Sequence, residues 1–397
     1  MTLSGGWRRA AHGAGLLGPN GESGTTIFAE VSALALKHDA INLGQGFPDE
    51  DGPAEVLEAA HQAIRDGINQ YPPGIGLPTL RTAIAEHQKR FYGIDVDPDT
   101  EVLVTAGATE ALAATLLALI EPGDEVLTFE PFYDAYGAGI ELAGGIHRTV
   151  PLHLPDFQPD LDELRQAVTD RTRIILINTP NNPTGAMLPR ATLELLIELA
   201  HRHDAIIVTD EVYEHLTFGA THIPIASLPG GFERTVSISS GGKTFNTTGW
   251  KIGWITAPAA YVTAILAVKQ FLTFVNGAPF QPAIAAGLRL PDAFFSGIAT
   301  TLQAKRDLLA GGLAEAGFTV YLPQAGYFIV TDAAPRGLAD AAAVARSLPA
   351  EVGVAAIPFS AFCHADMAAQ HRSLLRFAFC KRETVLTEAV RRLRAAG

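Results

Sequence analysis

The stretch EVLVTAGATEALAATLLALI, residues 101–120, limits the fold more than any other. A short aliphatic and β-branched run ends in small residues. It passes directly into a strongly apolar helical segment, which Thr109, a good N-cap, would open. A strand that is apolar throughout has to be covered on both faces. The same unit then recurs. DEVLTFE reads as a strand, FYDAYGAGIELAG as a helix, GIHRTVPL and RTRIILINTP as strands, LPRATLELLIELAHRHD as a helix, and DAIIVTDEVY and RTVSISS as further strands. Ahead of them, GPAEVLEAAHQAIRDG and LPTLRTAIAEHQKRF carry apolar residues at helical spacing. Such alternation predicts an α/β fold with a mostly parallel sheet covered by helices. Ligands of these sheets sit at the carboxyl ends of the strands. The loops TAGATE, EPFYDAY, NTPNNPTG, TDEVY and SSGGKTF all fall there, which predicts one composite site.

After about Pro291 the pattern changes. A long helical stretch leads into the short strands TVYL, YFIVT, VGVAAIP and SLLRFAFC and a last helix, ETVLTEAVRRLRAA. This reads as a smaller α+β domain, with which the segment before residue 50 is expected to pack. The expected division is a large domain over 53–290 and a small one from 25–52 and 291–397. Residues 1–24 lack the continuous apolar core of a signal peptide and read as a Gly-rich, poorly ordered leader.

Charge and cysteine content narrow the partners. With 29 basic and 42 acidic side chains the net charge is −13, which argues against nucleic acid or an anionic membrane surface. No apolar run approaches the length of a membrane span. Cys363 and Cys380 lack metal-ligand spacing around them and read as buried thiols; no metal is expected, and the cytoplasm is the default compartment.

The chemistry centres on SISSGGKTFNTTGWK, residues 237–251. Gly242, Lys243 and Thr244 match the end of a phosphate-binding G-x-x-x-x-G-K-[ST] loop, but Ser237 stands where its first glycine belongs. Lys243 has three readings on these residues alone: a phosphate binder, a surface lysine in a turn, or a confined amine of lowered pKa that attacks an aldehyde. Asp210 ends the apolar run AIIVTD, where a helix-capping aspartate is the plain reading.

Read together, SISSGGKTFNTTGWKIGW, NLGQGFPDE, NQYPPGIGLPTLR, AGATEAL, EPFYDAY, NTPNNPTG, TDEVYEHL and LLRFAF resemble the fold type I pyridoxal-phosphate aminotransferases of class I/II. They occur in that family's order from about Ile27 to the end of the chain. The resemblance implies pyridoxal 5'-phosphate as cofactor and Lys243 as its Schiff-base lysine. It places Asp210 beside the pyridine nitrogen, Tyr213 and Asn182 at the phenolic oxygen, and Tyr133 over the ring. It assigns Ala108, Thr109, Ser240 and Lys251 to the phosphate, Lys251 standing where many relatives carry arginine. Arg376 would clamp the substrate carboxylate, with Asn182 beside it and the Gly46 backbone closing over the substrate. Tyr71 would reach the phosphate of a neighbouring subunit, which implies a homodimer. The implied reaction moves an amino group from an L-amino acid to a 2-oxo acid by a ping-pong route, Lys243 acting as general base and then acid.

Substrate choice is read from fewer residues. LGQGFPDE, EPFYDAY and FAFCK resemble the kynurenine, glutamine and methionine aminotransferase branch, which includes N-succinyldiaminopimelate aminotransferases. FLTFVNGAPFQPA is aromatic and contains no arginine to clamp a side-chain carboxylate. The donor is therefore expected to be neutral and bulky: sulfur-containing, aromatic or glutamine-like. N-succinyldiaminopimelate transamination and cysteine-conjugate β-elimination are the alternatives. A non-catalytic regulator would bring a basic DNA-binding segment, and nothing basic or helix-turn-helix-like precedes residue 50. A nucleotide hydrolase would be colourless and ATP-dependent.

Overall fold

The computed structural model describes residues 4–396. Its main sheet has eight strands in the order Val102–Thr105, Gly253–Thr256, Thr235–Ser240, Ile206–Asp210, Thr172–Asn178, Glu125–Glu130, Ile146–His153 and Gln158–Pro159. The central pairings from Thr235–Ser240 to Ile146–His153 are all parallel. Gly253–Thr256 runs antiparallel between its two neighbours. The sequence pattern does not announce this strand, because GWIT reads as the tail of the lysine loop. Helices cover both faces of the sheet: Val126, Leu176 and Val208 pack into one apolar core, while Leu127, Ile175 and Ile207 belong to another. Alternate side chains of a strand point to opposite faces, so a doubly covered strand has to be apolar at every position.

The register sets the site. Asn178 lies opposite Asp210, and Asp210 opposite Ile238. The strands ending at Asn178 and Asp210 therefore finish level, and Thr235–Ser240 runs two residues beyond them. The helix after the first strand spans Gly107–Leu119 and starts earlier than Thr109 as N-cap would allow. Thr109 lies inside that first turn, and the Ala106 N–H is satisfied by Glu110 Oε2 at 2.6 Å.

A second, antiparallel sheet orders Thr319–Tyr321, Phe328–Asp332, Leu374–Ala378 and Ile357–Pro358. Near it, Ile41–Asn42 pairs in parallel with Val354–Ala355, and the helix Ile27–Lys37 packs on Ala341–Glu351. One core joins these elements to the helix Asp292–Glu315 and to Val212 and Tyr213 of the main sheet's loops.

The leader differs from expectation. Gly6–Gly13 is a helix, packed along the helix Asp134–Ala143. Leu17 and Ser23 then pair across a turn, and Thr26 caps the next helix by accepting from the Ala29 N–H at 3.2 Å. Residues 1–3 lie outside the described residues. No helix among those described is long and apolar enough to cross a membrane.

Candidate active site

These strand ends open into a cavity of about 470 Å³. Eleven residues singled out in the sequence line it: Gly46, Ala108, Thr109, Tyr133, Asn182, Asp210, Tyr213, Ser240, Lys243, Lys251 and Arg376. Tyr71 does not. It is 82% exposed, edge-on to Phe274 with ring centres 5.4 Å apart.

Lys243 lies in the short helical turn Gly241–Thr244 that follows the strand Thr235–Ser240. Its Nζ donates to the Gly46 carbonyl at 3.1 Å, and the Tyr213 and Tyr327 rings lie 5.6 and 5.5 Å away. Tyr327 Oη donates to the Lys243 carbonyl at 2.6 Å, fixing the turn through its backbone. Burial holds the amine below the ordinary lysine range, against the opposing pull of Cys380 and Asp210. A buried amine of this kind spends more of its time unprotonated and nucleophilic.

Asp210 ends the adjacent strand, fully enclosed. Burial pushes its carboxyl up to about 6, partly countered by hydrogen bonds from Tyr136 and the Val212 N–H. Tyr136 Oη donates to Asp210 Oδ2 at 2.8 Å, and Asn178 Nδ2 donates to the Asp210 carbonyl at 2.8 Å. Neither Tyr136 nor Asn178 was singled out from the sequence. Tyr136 stands one helical turn after Tyr133 in EPFYDAY, and Asn178 ends an apolar strand in register with Asp210, so both positions carried a readable signal.

At the far end, the first N–H groups of the helix Gly107–Leu119 have no acceptor within the helix and suit an anion. Glycines make the cradle tight. A Cβ on Gly253 would come within 2.8 Å of the Ala108 nitrogen, and one on Gly107, whose φ is +72°, within 3.3 Å of Lys251 Nζ. Lys251 adopts the left-handed conformation, φ 56° and ψ 49°. Asn276 Nδ2 holds it there by donating to the carbonyls of Lys251 and Thr105 at 3.0 and 3.1 Å. Lys251 Nζ then reaches Thr109 Oγ1 at 3.4 Å.

Arg376 enters from the antiparallel sheet. Nη1 donates to Asn182 Oδ1 at 2.8 Å and Nη2 to the Gly44 carbonyl at 2.6 Å, while the buried Nε has no partner. With its Oδ1 engaged, Asn182 keeps its amide N–H groups for an acceptor in the cavity. The guanidinium stacks 3.8 Å from the Phe328 ring centre, with Phe362 at 4.6 Å and Phe28 at 5.6 Å. Burial lowers its pKa to about 10. A cation enclosed this way by neutral groups is suited to a carboxylate that completes it. Phe28, Gln45, Phe47 and Phe328 also line the cavity and were missed: Phe28 and Phe328 read as ordinary core residues, and Gln45 and Phe47 flank Gly46 in a loop without periodicity.

Neither thiol lines the cavity. Cys380 is buried and pushed up to about 11; Cys363 is half-buried and also raised by burial. His87, Glu214 and His215 converge in the interior. The two imidazole Nε2 atoms lie 2.6 Å apart and Glu214 accepts from Tyr92 Oη at 2.6 Å and Ser239 Oγ at 2.5 Å, while the buried His87 Nδ1 has no partner.

A phosphorylated pyridine aldehyde matches this donor set: an amine for the aldehyde, an acid at the strand end, an aromatic wall and an anion cradle. The comparisons agree. The chain matches the family of aminotransferases of class I and II over residues 38–393. It is 52% identical to a probable N-succinyldiaminopimelate aminotransferase of Mycobacterium tuberculosis over 93% of this chain and 95% of that one. It is 41% identical to the methionine aminotransferase of Escherichia coli over 94% and 96%. The solved structure of the N-succinyldiaminopimelate aminotransferase from Mycobacterium tuberculosis superposes with a TM-score of 0.93 at 49% identity, covering all of both chains. Sequence, fold and site thus converge: the chain belongs to the class I and II aminotransferases, enzymes of fold type I that use pyridoxal phosphate.

Proposed function

We propose that this aminotransferase takes its amino group from an L-amino acid with a long or bulky, uncharged side chain. One observation carries the reading. The only side-chain cations among the described residues lining the cavity are Lys243, Lys251 and Arg376. With cofactor and substrate bound, Lys243 would hold the aldehyde, Lys251 the phosphate and Arg376 the α-carboxylate, which uses all three. A side-chain carboxylate, as in aspartate, finds no further cation among these lining residues, whereas Phe28, Phe47 and Phe328 offer apolar wall.

Pyridoxal phosphate, when bound, supplies an aldehyde that captures amines and a ring that accepts electrons. Lys243 Nζ would hold the aldehyde, and its amine is placed to take a proton from the substrate Cα and give it back, which its lowered pKa favours. Asp210 presents negative charge at the strand end, held by Tyr136. Tyr213 and Asn182 would donate to the phenolic oxygen, Tyr133 would supply the aromatic wall for the ring, and Ala108, Thr109, Ser240 and Lys251 would hold the phosphate. Arg376 orients the α-carboxylate with Gly46 above it. Substrate and acceptor use the same site in turn, giving ping-pong kinetics.

A second reading is favoured by the 52% identity to a probable N-succinyldiaminopimelate aminotransferase. The long side chain of that substrate would place its succinyl carboxylate far from Arg376, and the cation for it would come from another loop or from a neighbouring subunit. A homodimer agrees with the exposed group Tyr71, Phe271, Leu272 and Phe274, an apolar surface of the kind that marks subunit contacts. The free cysteines suit the cytoplasm, and the two sheets suit a division into 53–290 and 25–52 with 291–397.

The test mixes the yellow holoenzyme with single amino acids and ranks the rates at which the bound cofactor's absorbance changes. Methionine, glutamine or an aromatic donor should lead, with aspartate slowest. Aspartate leading overturns the proposal, and N-succinyldiaminopimelate leading selects the second reading.

A further inference from the structure

Residues 4–24 precede the family-matched region, and the proposed chemistry does not use them. Their placement is nevertheless specific. The helix Gly6–Gly13 touches the helix Asp134–Ala143 backbone to backbone at one pair of glycines. A Cβ on Gly13 would overlap the Gly137 carbonyl oxygen and lie 2.7 Å from its carbon, and a Cβ on Gly137 would overlap the Gly13 carbonyl oxygen. Side chains fix the register of this contact. His12 Nδ1 meets Glu141 Oε2 at 2.6 Å. Arg9 Nε and Nη2 donate to the carbonyls of Glu141 and Leu142 at 3.2 and 3.3 Å, in the last turn of that helix, where the Glu141 carbonyl also accepts from the Gly144 N–H at 3.0 Å. Beyond the helix the segment folds back, the Gly24 N–H donating to the Leu16 carbonyl at 2.7 Å. It delivers Thr26 and Phe28 to the cavity wall.

The helix that receives this contact carries two cavity residues. Tyr133 is its N-cap, and Tyr136, immediately before Gly137, donates to Asp210 at 2.8 Å. Hydrogen bonds between successive turns make a helix of this length move as a unit. Displacement at Gly137 therefore reaches Tyr136 one residue away.

We infer that the helix Gly6–Gly13 is a positioning element for the cofactor-binding wall. Through the Gly13–Gly137 contact it fixes the helix Asp134–Ala143, and so the hydrogen bond from Tyr136 to Asp210. The inference rests on the proposed reading of Asp210 as the acid beside the cofactor ring. The exposed bonds of Arg9 and His12 add little energy individually. The glycine pair sets how closely the helices approach, since any side chain there forces them apart.

A double-mutant cycle tests this. Four apo-proteins are titrated with pyridoxal phosphate: the full chain and a truncation lacking residues 1–20, each with and without Tyr136→Phe. Truncation should weaken cofactor binding about 3- to 10-fold while Tyr136 is present, and by less than about twofold once Tyr136→Phe has removed the hydrogen bond, as coupled neighbours behave. Gly13→Ala in the full chain should weaken binding as truncation does, and it carries the same cycle if the truncated chain fails to fold. Gly137→Ala should be silent in the truncated chain, where its collision partner is gone. Unchanged affinity on truncation, or equal weakening with and without Tyr136→Phe, overturns the inference. If Asp210→Asn leaves the affinity and absorbance of the bound cofactor as in the parent chain, the reading of Asp210 falls, and the inference falls with it.

Discussion

The two walls of the cavity leave opposite charges unanswered, and they are built differently. The wall from the large sheet holds Asp210, enclosed and hydrogen-bonded by neutral groups, its carboxyl pushed up to about 6. The wall from the small sheet holds Arg376, equally enclosed, bonded to a carbonyl and an amide oxygen and lowered to about 10. Neither has an ion-pair partner among the described residues, and each costs free energy until a ligand completes it. The acid is placed by strand register and needs only neighbouring strands. The cation is placed by Phe28, Phe328 and Phe362, from both ends of the chain, and needs the whole fold. The site is thus two half-sites of opposite sign, one set by a hydrogen-bond ladder and one by packing.

Lys243 belongs to both halves, since it follows a strand of the large sheet and donates across to Gly46. Lys243→Ala should therefore have the largest effect, lowering kcat by about 10³–10⁴-fold or more through loss of general acid–base chemistry alone. Single-turnover absorbance measures it, and undiminished transfer would refute the mechanism.

Arg376→Ala separates the walls. Removing a buried cation and stranding its partners costs about 2–5 kcal/mol, so kcat/KM for amino acids should fall by about 30- to 5,000-fold. Pyridoxal phosphate affinity should stay near that of the parent. Equal losses in both would show that the halves are not independent. Arg376→Lys should recover only part, for want of the planar fork.

Asp210 gives the large-sheet wall its own signature in the apo-protein. A carboxyl held at about 6 when folded and near 3.9 when unfolded binds its proton more tightly in the native state. Its contribution is complete below about pH 4 and is lost as pH rises through about 6, a span of roughly 3 kcal/mol. Urea unfolding of apo wild type should show this falling limb relative to Asp210→Asn, which lacks it. Parallel curves would mean that Asp210 is better solvated than its burial implies.

The smallest effect is expected at Gly46. A Cβ there would lie 2.7 Å from Phe328 Cε1 and closer to Cζ, pressing on the ring that stacks over Arg376. Overpacking of this kind costs about 1–3 kcal/mol, so Gly46→Ala should raise KM for the donor about tenfold with cofactor binding intact. A change confined to cofactor affinity would place Gly46 with the other wall.

The large-sheet half was readable because its residues lie within a few positions of apolar strands. Asp210, Ser240, Lys243 and the AGAT turn stand at strand ends, and the parallel pattern says where such ends meet. The antiparallel strand Gly253–Thr256 was not readable, since four residues after a loop carry too little periodicity. Thr109 looked like a cap, but Gly107 can adopt a positive φ and starts the helix earlier. The leader looked disordered because it is rich in glycine, yet glycine is what allows its helix to approach Asp134–Ala143 so closely.

The sequence by itself determined the alternating sheet, the site at its carboxyl edge and the amine, acid and guanidinium that give the site its chemistry. It could do so because strand periodicity and strand-end chemistry are local properties. Only the tertiary structure decided what encloses them: the aromatic stack on Arg376, the Tyr136 bond to Asp210 and the seat of the leader helix. These depend on contacts between distant segments, whose spacing in the chain carries no trace of the distance between them in space.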